Sequence, residues 1–261
     1  MDDDLYRAVD LAPRPLPAGQ KRVFVLLQGH PSKFWPELAD ALAAEGHRII
    51  RVNLCLADQI FWGRRPALNY RGRFAKWRAW LTKLLVDEAV TDILYYADRL
   101  PYHLIAHSVG RKHGAACWAI EHGYLRPDWL TLEPDAMGAR SRFPKSRADI
   151  ERLAADSDAP NMTTLYTHDF ATEAFHEVTY NLLQAFGRPF FPWYWSDKIY
   201  WPAIEYLNWL VELALDPRRT AEAKRVQKRA AEGMPFNLLA MQIQDDYQIR
   251  GSSPYSGPVS Y

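Results

Sequence analysis

Residues 21–28, KRVFVLLQ, and the GHPSKF that follows them decide the fold. The run VFVLL has strand length and no polar alternation, which is the pattern of a parallel strand buried on both faces. Behind it Phe34, Leu38 and Leu42 recur at helical spacing, with Glu37 and Asp40 on other faces, and Gly46 follows as a C-cap glycine. Residues 48–54 (RIIRVNL) read as a second strand, 91–97 (TDILYYA) as a third and 115–120 (AACWAI) as a fourth. Between them lie a polar aromatic loop over 58–72, a basic amphipathic helix carrying Phe74, Trp77, Leu81 and Leu84, and a helix over 101–113. Strand and helix alternate, as in βαβ units built on a parallel sheet. Residues 20–144 are therefore expected to form one Rossmann-like α/β domain.

Working outward, the 261 residues divide into a Pro-rich leader (1–19), that domain, a mostly helical region (145–234) and a C-terminal stretch (235–261). In the helical region Ile204, Leu207, Val211 and Leu215 form one stripe, and a separate charged helix is expected over 221–232, stopped by Gly233 and Pro235. Residues 236–243, FNLLAMQI, read as the first strand of a second, incomplete α/β domain.

Composition narrows the function. Lys and Arg total 32 against 31 Asp and Glu, a net charge of +1, which excludes a dedicated nucleic-acid binder with a strongly basic face. At 48% hydrophobic and 24% charged the chain is an ordinary globular one. Two cysteines, Cys55 and Cys117, fit a reducing compartment and give no zinc pattern. The acidic start MDDDLYRAVD is unlike a signal peptide, and the apolar stretch 199–215 is broken by Pro202, Glu205, Asn208 and Glu212. The 10 Trp, 14 Tyr and 11 Phe suit core filling, and residues 190–209 also suit a membrane interface.

In an open α/β sheet ligands sit beyond the carboxyl ends of the strands, where residues 28–31, 58–62, 98–103 and 121–126 fall. Ala106-His107-Ser108-Val109-Gly110 approaches the nucleophile elbow G-x-S-x-G of serine hydrolases, but the elbow needs a strand directly before the serine. Here the strand ends at Ala97, so Ser108 is expected mid-helix. His103, His107 and His113 lack the H-E-x-x-H arrangement, and no metal site is assigned. Near the C-terminus, Gln242-Ile243-Gln244-Asp245-Asp246-Tyr247-Gln248-Ile249-Arg250 sets adjacent carboxylates beside a cation. Such a set could trap an oxocarbenium-like centre and hold a substrate acid group, although a solvent-exposed turn would look the same.

Taken together, FVLLQGHPSKFWPELADALAAEGHRIIRVN, DQIFW, ALNYRG, TDILYYAD, PYH, EHGYLRPDWLTLE and QIQDDYQIRGSSPY occur in an order that resembles the capsular polysaccharide biosynthesis/export family. Its characterised members are retaining β-Kdo glycosyltransferases of the KpsS/LipB type. The resemblance implies a GT-B-like enzyme taking CMP-Kdo as donor and a phosphatidylglycerol-type lipid as acceptor, with no further cofactor. It implies a cytoplasmic chain, peripheral on the inner membrane, with capsule assembly and export proteins as partners. By motif position Asp246 is the nucleophile and Glu121 a candidate base. Arg126 and Arg250 suit the Kdo carboxylate or a phosphate, because a guanidinium forks onto planar anions. Tyr124, Asp98, His103 and Gln242 map to further substrate contacts.

There are departures. The family's usual G-D-x-R-P is Ala97-Asp98-Arg99-Leu100-Pro101, its Glu-Glu-Gly-Tyr is Glu121-His122-Gly123-Tyr124, and its Asn-Asp-Ser is Asp245-Asp246-Tyr247. The resemblance also implies a second Rossmann-like domain with a nucleotide-binding His-Pro element beyond the last motif. The expectation is thus a transferase truncated before most of that domain, with a non-catalytic capsule assembly accessory as the alternative and a serine hydrolase using Ser108 as the third.

Overall fold

A computed structural model describes residues 19–123, 129–155, 157–158, 161–163, 169–196 and 202–237. The chain divides into two compact units, Met1–Trp195 and Ser196–Tyr261. The first holds a mixed α/β sheet of the Rossmann-like type. Its strands are β1 (Val23–Leu26), β2 (Arg48–Asn53), β3 (Leu68–Asn69), β4 (Asp92–Tyr96), β5 (Ala116–His122) and β6 (Leu130–Pro134). They lie in the order β3-β2-β1-β4-β5-β6. All neighbours pair in parallel except β5 and β6, which form an antiparallel pair. The order reverses between β1 and β4, so the switch-point crevice opens beyond Leu26 and Tyr96.

Helices α1 (Phe34–Ala44), α2 (Leu56–Trp62), α3 (Trp77–Asp87) and α4 (Pro101–Lys112) supply the crossovers. Successive strand residues face opposite sides, and each side finds its own partner. Val25, Leu27, Ile93, Tyr95, Cys117 and Ala119 pack with Trp77, Leu81 and Leu85 of α3 and with Tyr102, Ala106 and Val109 of α4. Phe24, Leu26, Leu94 and Ile120 pack with Trp35 and Ala39 of α1. Helix α1 ends as its sequence predicts. Gly46, at φ +83°, bonds its N–H to Ala43 while His47 N–H reaches Leu42, the paired closure of a Schellman motif.

Three expectations are corrected. The stretch 58–72 is not all loop: it contains most of α2, nucleated by Asp58, and the short parallel edge strand β3. The sequence after β5 forms an antiparallel return strand, β6, where no strand was expected. Pro217 does not divide the segment into separate helices, because α7 (Pro202–Ala231) runs through it. A proline removes one amide donor, and the carbonyl it leaves, on Leu213, sits in an exposed stretch where water can take it. Helices α5 (Arg147–Ala155) and α6 (Phe170–Phe186) complete the helical region of the first unit, and α7 is the described body of the second. Among the described residues no helix is long and apolar enough to cross a membrane. Most of the strand expected over 236–243 lies outside the described residues.

The aromatic run at 190–195 is split. Phe191 is buried and Tyr194 packs toward the sheet, while Phe190, Trp193 and Trp195 remain about half exposed.

Candidate functional site

At the carboxyl edge of the sheet, β2 carries Arg51 between Ile50 and Val52, and its guanidinium is buried. Burial lowers the Arg51 pKa, and the Asp58 carboxylate, 3.5 Å away, works against that shift. Arg51 also donates to the Leu27 carbonyl and to Asn53 Oδ1 at 2.9 Å, and its head lies 5.5 Å from the centre of the Trp62 ring. Asp58 sits three residues after Cys55 at the start of α2, where a carboxylate accepts orphan helix N–H groups. Its Oδ2 takes the Leu54 and Cys55 amides at 2.9 and 3.3 Å, and its Oδ1 takes the Tyr180 hydroxyl at 2.8 Å. Gln28, just past β1, donates to Tyr180 at 2.7 Å and to Tyr194 at 3.2 Å. This network ties α6 and the 190–195 segment to the ends of β1 and β2. Burial pushes the Tyr180 and Tyr194 hydroxyls well above the ordinary tyrosine range, so both stay neutral.

Across the switch point the β4–α4 turn carries Asp98, and the first turn of α4 carries His103. His103 is wholly buried, its Nδ1 lies 2.8 Å from the Ala97 carbonyl, and its ring stacks on Tyr95. That contact fixes the tautomer with the proton on Nδ1. Burial lowers its pKa to about 4. Asp98 is also buried; it accepts the Met137 amide at 3.1 Å and pairs with Arg99 at 3.5 Å. An arginine one place early in the departed motif thus still meets this aspartate. Ala97 stands at φ +61°, a conformation that costs an L-residue roughly 1–2 kcal/mol. Ala97→Gly is expected to remove that strain and raise Tm by roughly 2–4 °C in a thermal melt.

His103 also sets a pH dependence. The unfolded histidine protonates near 6.5 while the folded one resists down to about 4. Its contribution to stability is therefore complete above pH 6.5 and is lost as pH falls toward 4. His103→Asn keeps a short donor to Ala97 and removes the titration. A chemical-denaturation series from pH 7.5 to 4.5 should give a shallower acid slope in this variant than in the wild type.

Glu121, next to last in β5, lies on the side of the sheet that faces α4, as alternation from Cys117 and Ala119 requires. His122 emerges on the opposite side, its ring 4.8 Å from that of His30 and 5.7 Å from Tyr96. Burial, with His122 and His176 nearby, lowers the His30 pKa to about 4, so His30 is a neutral donor or acceptor near pH 7. The structure thus brings Asp98, His103 and Glu121 to one edge. Tyr124, Arg126, Gln242, Asp246 and Arg250 lie outside the described residues. Ser108 is the eighth residue of α4, and its Oγ accepts from Arg78 at 3.3 Å. The strand–turn–helix of a nucleophile elbow is absent there. Among the described residues no cluster of three or more His, Cys, Asp or Glu could hold a metal ion.

Arg51 and Tyr180 were not singled out by sequence reasoning, while His30 and Asp58 fell in the carboxyl-end segments 28–31 and 58–62 without being given a role. Two signals existed: a charge inside a buried strand at Arg51, and the spacing of Asp58 from the residue that opens α2.

Comparison with known proteins places the chain in a family. Residues 91–261 match the model of the capsule polysaccharide biosynthesis protein family. The Escherichia coli capsule polysaccharide export protein KpsS is 26% identical over 240 residues, 91% of this chain and 61% of KpsS. The capsule polysaccharide modification protein LipB of Neisseria meningitidis, in serogroups A and B alike, is 32% identical over 128 residues, 48% of this chain and 30% of LipB. The chain thus spans less than two thirds of the length of these relatives. The family match begins at β4 and covers about two thirds of the chain: the chain belongs to the capsule polysaccharide biosynthesis protein family.

Proposed function

We propose that this chain contributes to a capsule glycosyltransferase that moves Kdo from CMP-Kdo to a phosphatidylglycerol-type lipid with retention of configuration. In the first step the Asp246 carboxylate attacks the anomeric carbon, and the bond to the CMP phosphate oxygen breaks with its electron pair leaving on CMP. In the second, an acceptor hydroxyl attacks the same carbon, the bond to Asp246 breaks, and Glu121 takes the hydroxyl proton. Two inversions give retention. Arg126 and Arg250 would bind the Kdo carboxylate or a phosphate, and Tyr124 and Gln242 would line the sugar site. Asp98 and His103 act by positioning, since both hold the β4–α4 turn. The protein would work in the cytoplasm against the inner face of the membrane, beside other capsule assembly and export proteins.

The observation that carries the reading is the convergence of the family-matched Asp98, His103 and Glu121 on the carboxyl edge at the sheet's switch point. The test is CMP release from CMP-Kdo in the presence of a lipid acceptor. It is run on the chain alone and on the chain supplemented with the region of KpsS outside the matched residues. Release in either arm supports transfer; its absence in both would leave the reading of a non-catalytic capsule assembly accessory. The use of Asp98 Oδ2 and His103 Nδ1 in holding their own turn favours that second reading to this extent.

A further inference from the structure

The side of the sheet that carries Leu94 and Ile120 is covered over β1 by α1, but the return strand β6 replaces the crossover helix that would cover β5. What remains is an open apolar groove of about 400 Å³, within the roughly 300–1,000 Å³ of small-ligand sites. Leu94 and Ile120 form its floor, Leu38 and Leu42 of α1 one wall, and Leu130 and Leu132 of β6 the other. Leu130 and Leu132 are 46% and 57% exposed, so the groove is open to a visitor.

Two features narrow the occupant. The polar groups at its basal end are already spent on one another: Arg22 pairs with buried Asp92 at 2.9 Å, and Trp118 Nε1 donates to the same carboxylate at 2.9 Å. An occupant there receives no unpaired charge, which suits hydrocarbon. The side of the sheet that carries the groove also leads to the carboxyl edge. Along β4 and β5 that side runs from Asp92 and Trp118 through Leu94 and Ile120 to Tyr96 and His122, where the His30 ring packs against both, while Glu121 lies on the other side.

We propose that this groove holds the acyl chain of the lipid acceptor, with the chain terminus toward Trp118 and the polar head at His30 and His122. The proposal rests on the reading of a lipid acceptor given above and adds to it where the lipid lies. Apolar burial supplies the affinity. The neutral His30 imidazole leaves the head free to present a hydroxyl at the edge.

The probe is lysophosphatidylglycerol with its single chain brominated near the terminus, used below its micelle concentration, with tryptophan quenching as the readout. Saturable quenching is expected, with the Trp118→Phe variant losing some of the amplitude. Bromine placed next to the head should quench Trp118 less. Leu132→Asp and the groove-filling Leu132→Trp should each weaken binding at least tenfold. Leu153→Asp, on the exposed α5 surface, should leave it within twofold. A melt of each variant separates lost binding from lost fold. Unsaturable quenching, or unchanged affinity in both Leu132 variants, overturns the proposal. So does a dimer in sedimentation that Leu132→Asp dissolves, which would make a second copy the occupant. No donor or turnover enters this assay, so an inactive transferase can still pass it. If transfer is found but a deacylated acceptor reacts with equal kcat/KM, the groove assignment fails and the transferase stands.

Discussion

Asp58→Ala is expected to lower the unfolding free energy by about 3–5 kcal/mol, the scale of removing one partner from a buried ion pair. The size of the loss follows from what the carboxylate holds. Two backbone amides at the start of α2, the Tyr180 hydroxyl and the Arg51 guanidinium all lose their acceptor together. Arg51 would then be a buried cation beside aromatic rings, with only neutral acceptors. A domain is typically stable by only about 5–15 kcal/mol, so this one change takes a large share. Tyr180→Phe should cost less, about 1–3 kcal/mol, since it removes one donor to Asp58 and one acceptor for Gln28, while Gln28 keeps Tyr194 and Asp58 Oδ1 keeps Arg51. Replacing both Arg51 and Asp58 by apolar residues should recover some of the loss of Asp58→Ala, because no unpaired charge remains. Urea unfolding of the three variants checks the order. A loss below about 1 kcal/mol for Asp58→Ala would mean that water already reaches the pair.

The same network shows what could be read from the sequence. The apolar runs of β1, β2, β4 and β5 were legible because a strand covered on both faces is largely apolar, and Gly46 marked the end of α1 because a positive φ suits glycine. Long-range polar contacts were not legible. Gln28 and Tyr180 are 152 residues apart, and no local period links them. Helix α2 was missed because only 7 residues separate its caps, too few for periodicity to show. Strand β6 was missed because Leu130–Pro134 is an edge strand whose alternation is short and ends in proline. The Ser108 placement was legible for the opposite reason: the nucleophile elbow is a local motif, and the distance from Ala97 ruled it out. Of the candidate site, the loops at the carboxyl edge followed from strand order alone, as in any open α/β sheet. The roles of Asp98 and His103 did not, since buried contacts within a turn look like ligand contacts in a one-dimensional sequence.

The largest effect on activity is expected at Asp246. If its carboxylate forms the covalent sugar intermediate, Asp246→Asn removes the only electron pair aimed at the anomeric carbon, and CMP release should fall by up to about 10⁶-fold, as when a covalent nucleophile is lost. Asp246→Ala opens space for azide, which can attack the donor directly. A single displacement inverts configuration, so the azide product should carry the anomeric configuration opposite to the enzymatic one. Glu121→Gln separates the two half-reactions. The first step needs no proton from the acceptor, so a burst of CMP should survive while turnover slows, and intact mass should reveal a sugar-bearing chain that Asp246→Asn lacks. Lost turnover with no adduct would place Glu121 in donor binding instead of acceptor deprotonation. Unchanged release in Asp246→Asn would put the nucleophile elsewhere and end the double-displacement reading. A Glu121→Gln adduct that disappears with Asp246 would fix both roles at once, because only a carboxylate that attacks before the acceptor is activated leaves a sugar waiting on the protein.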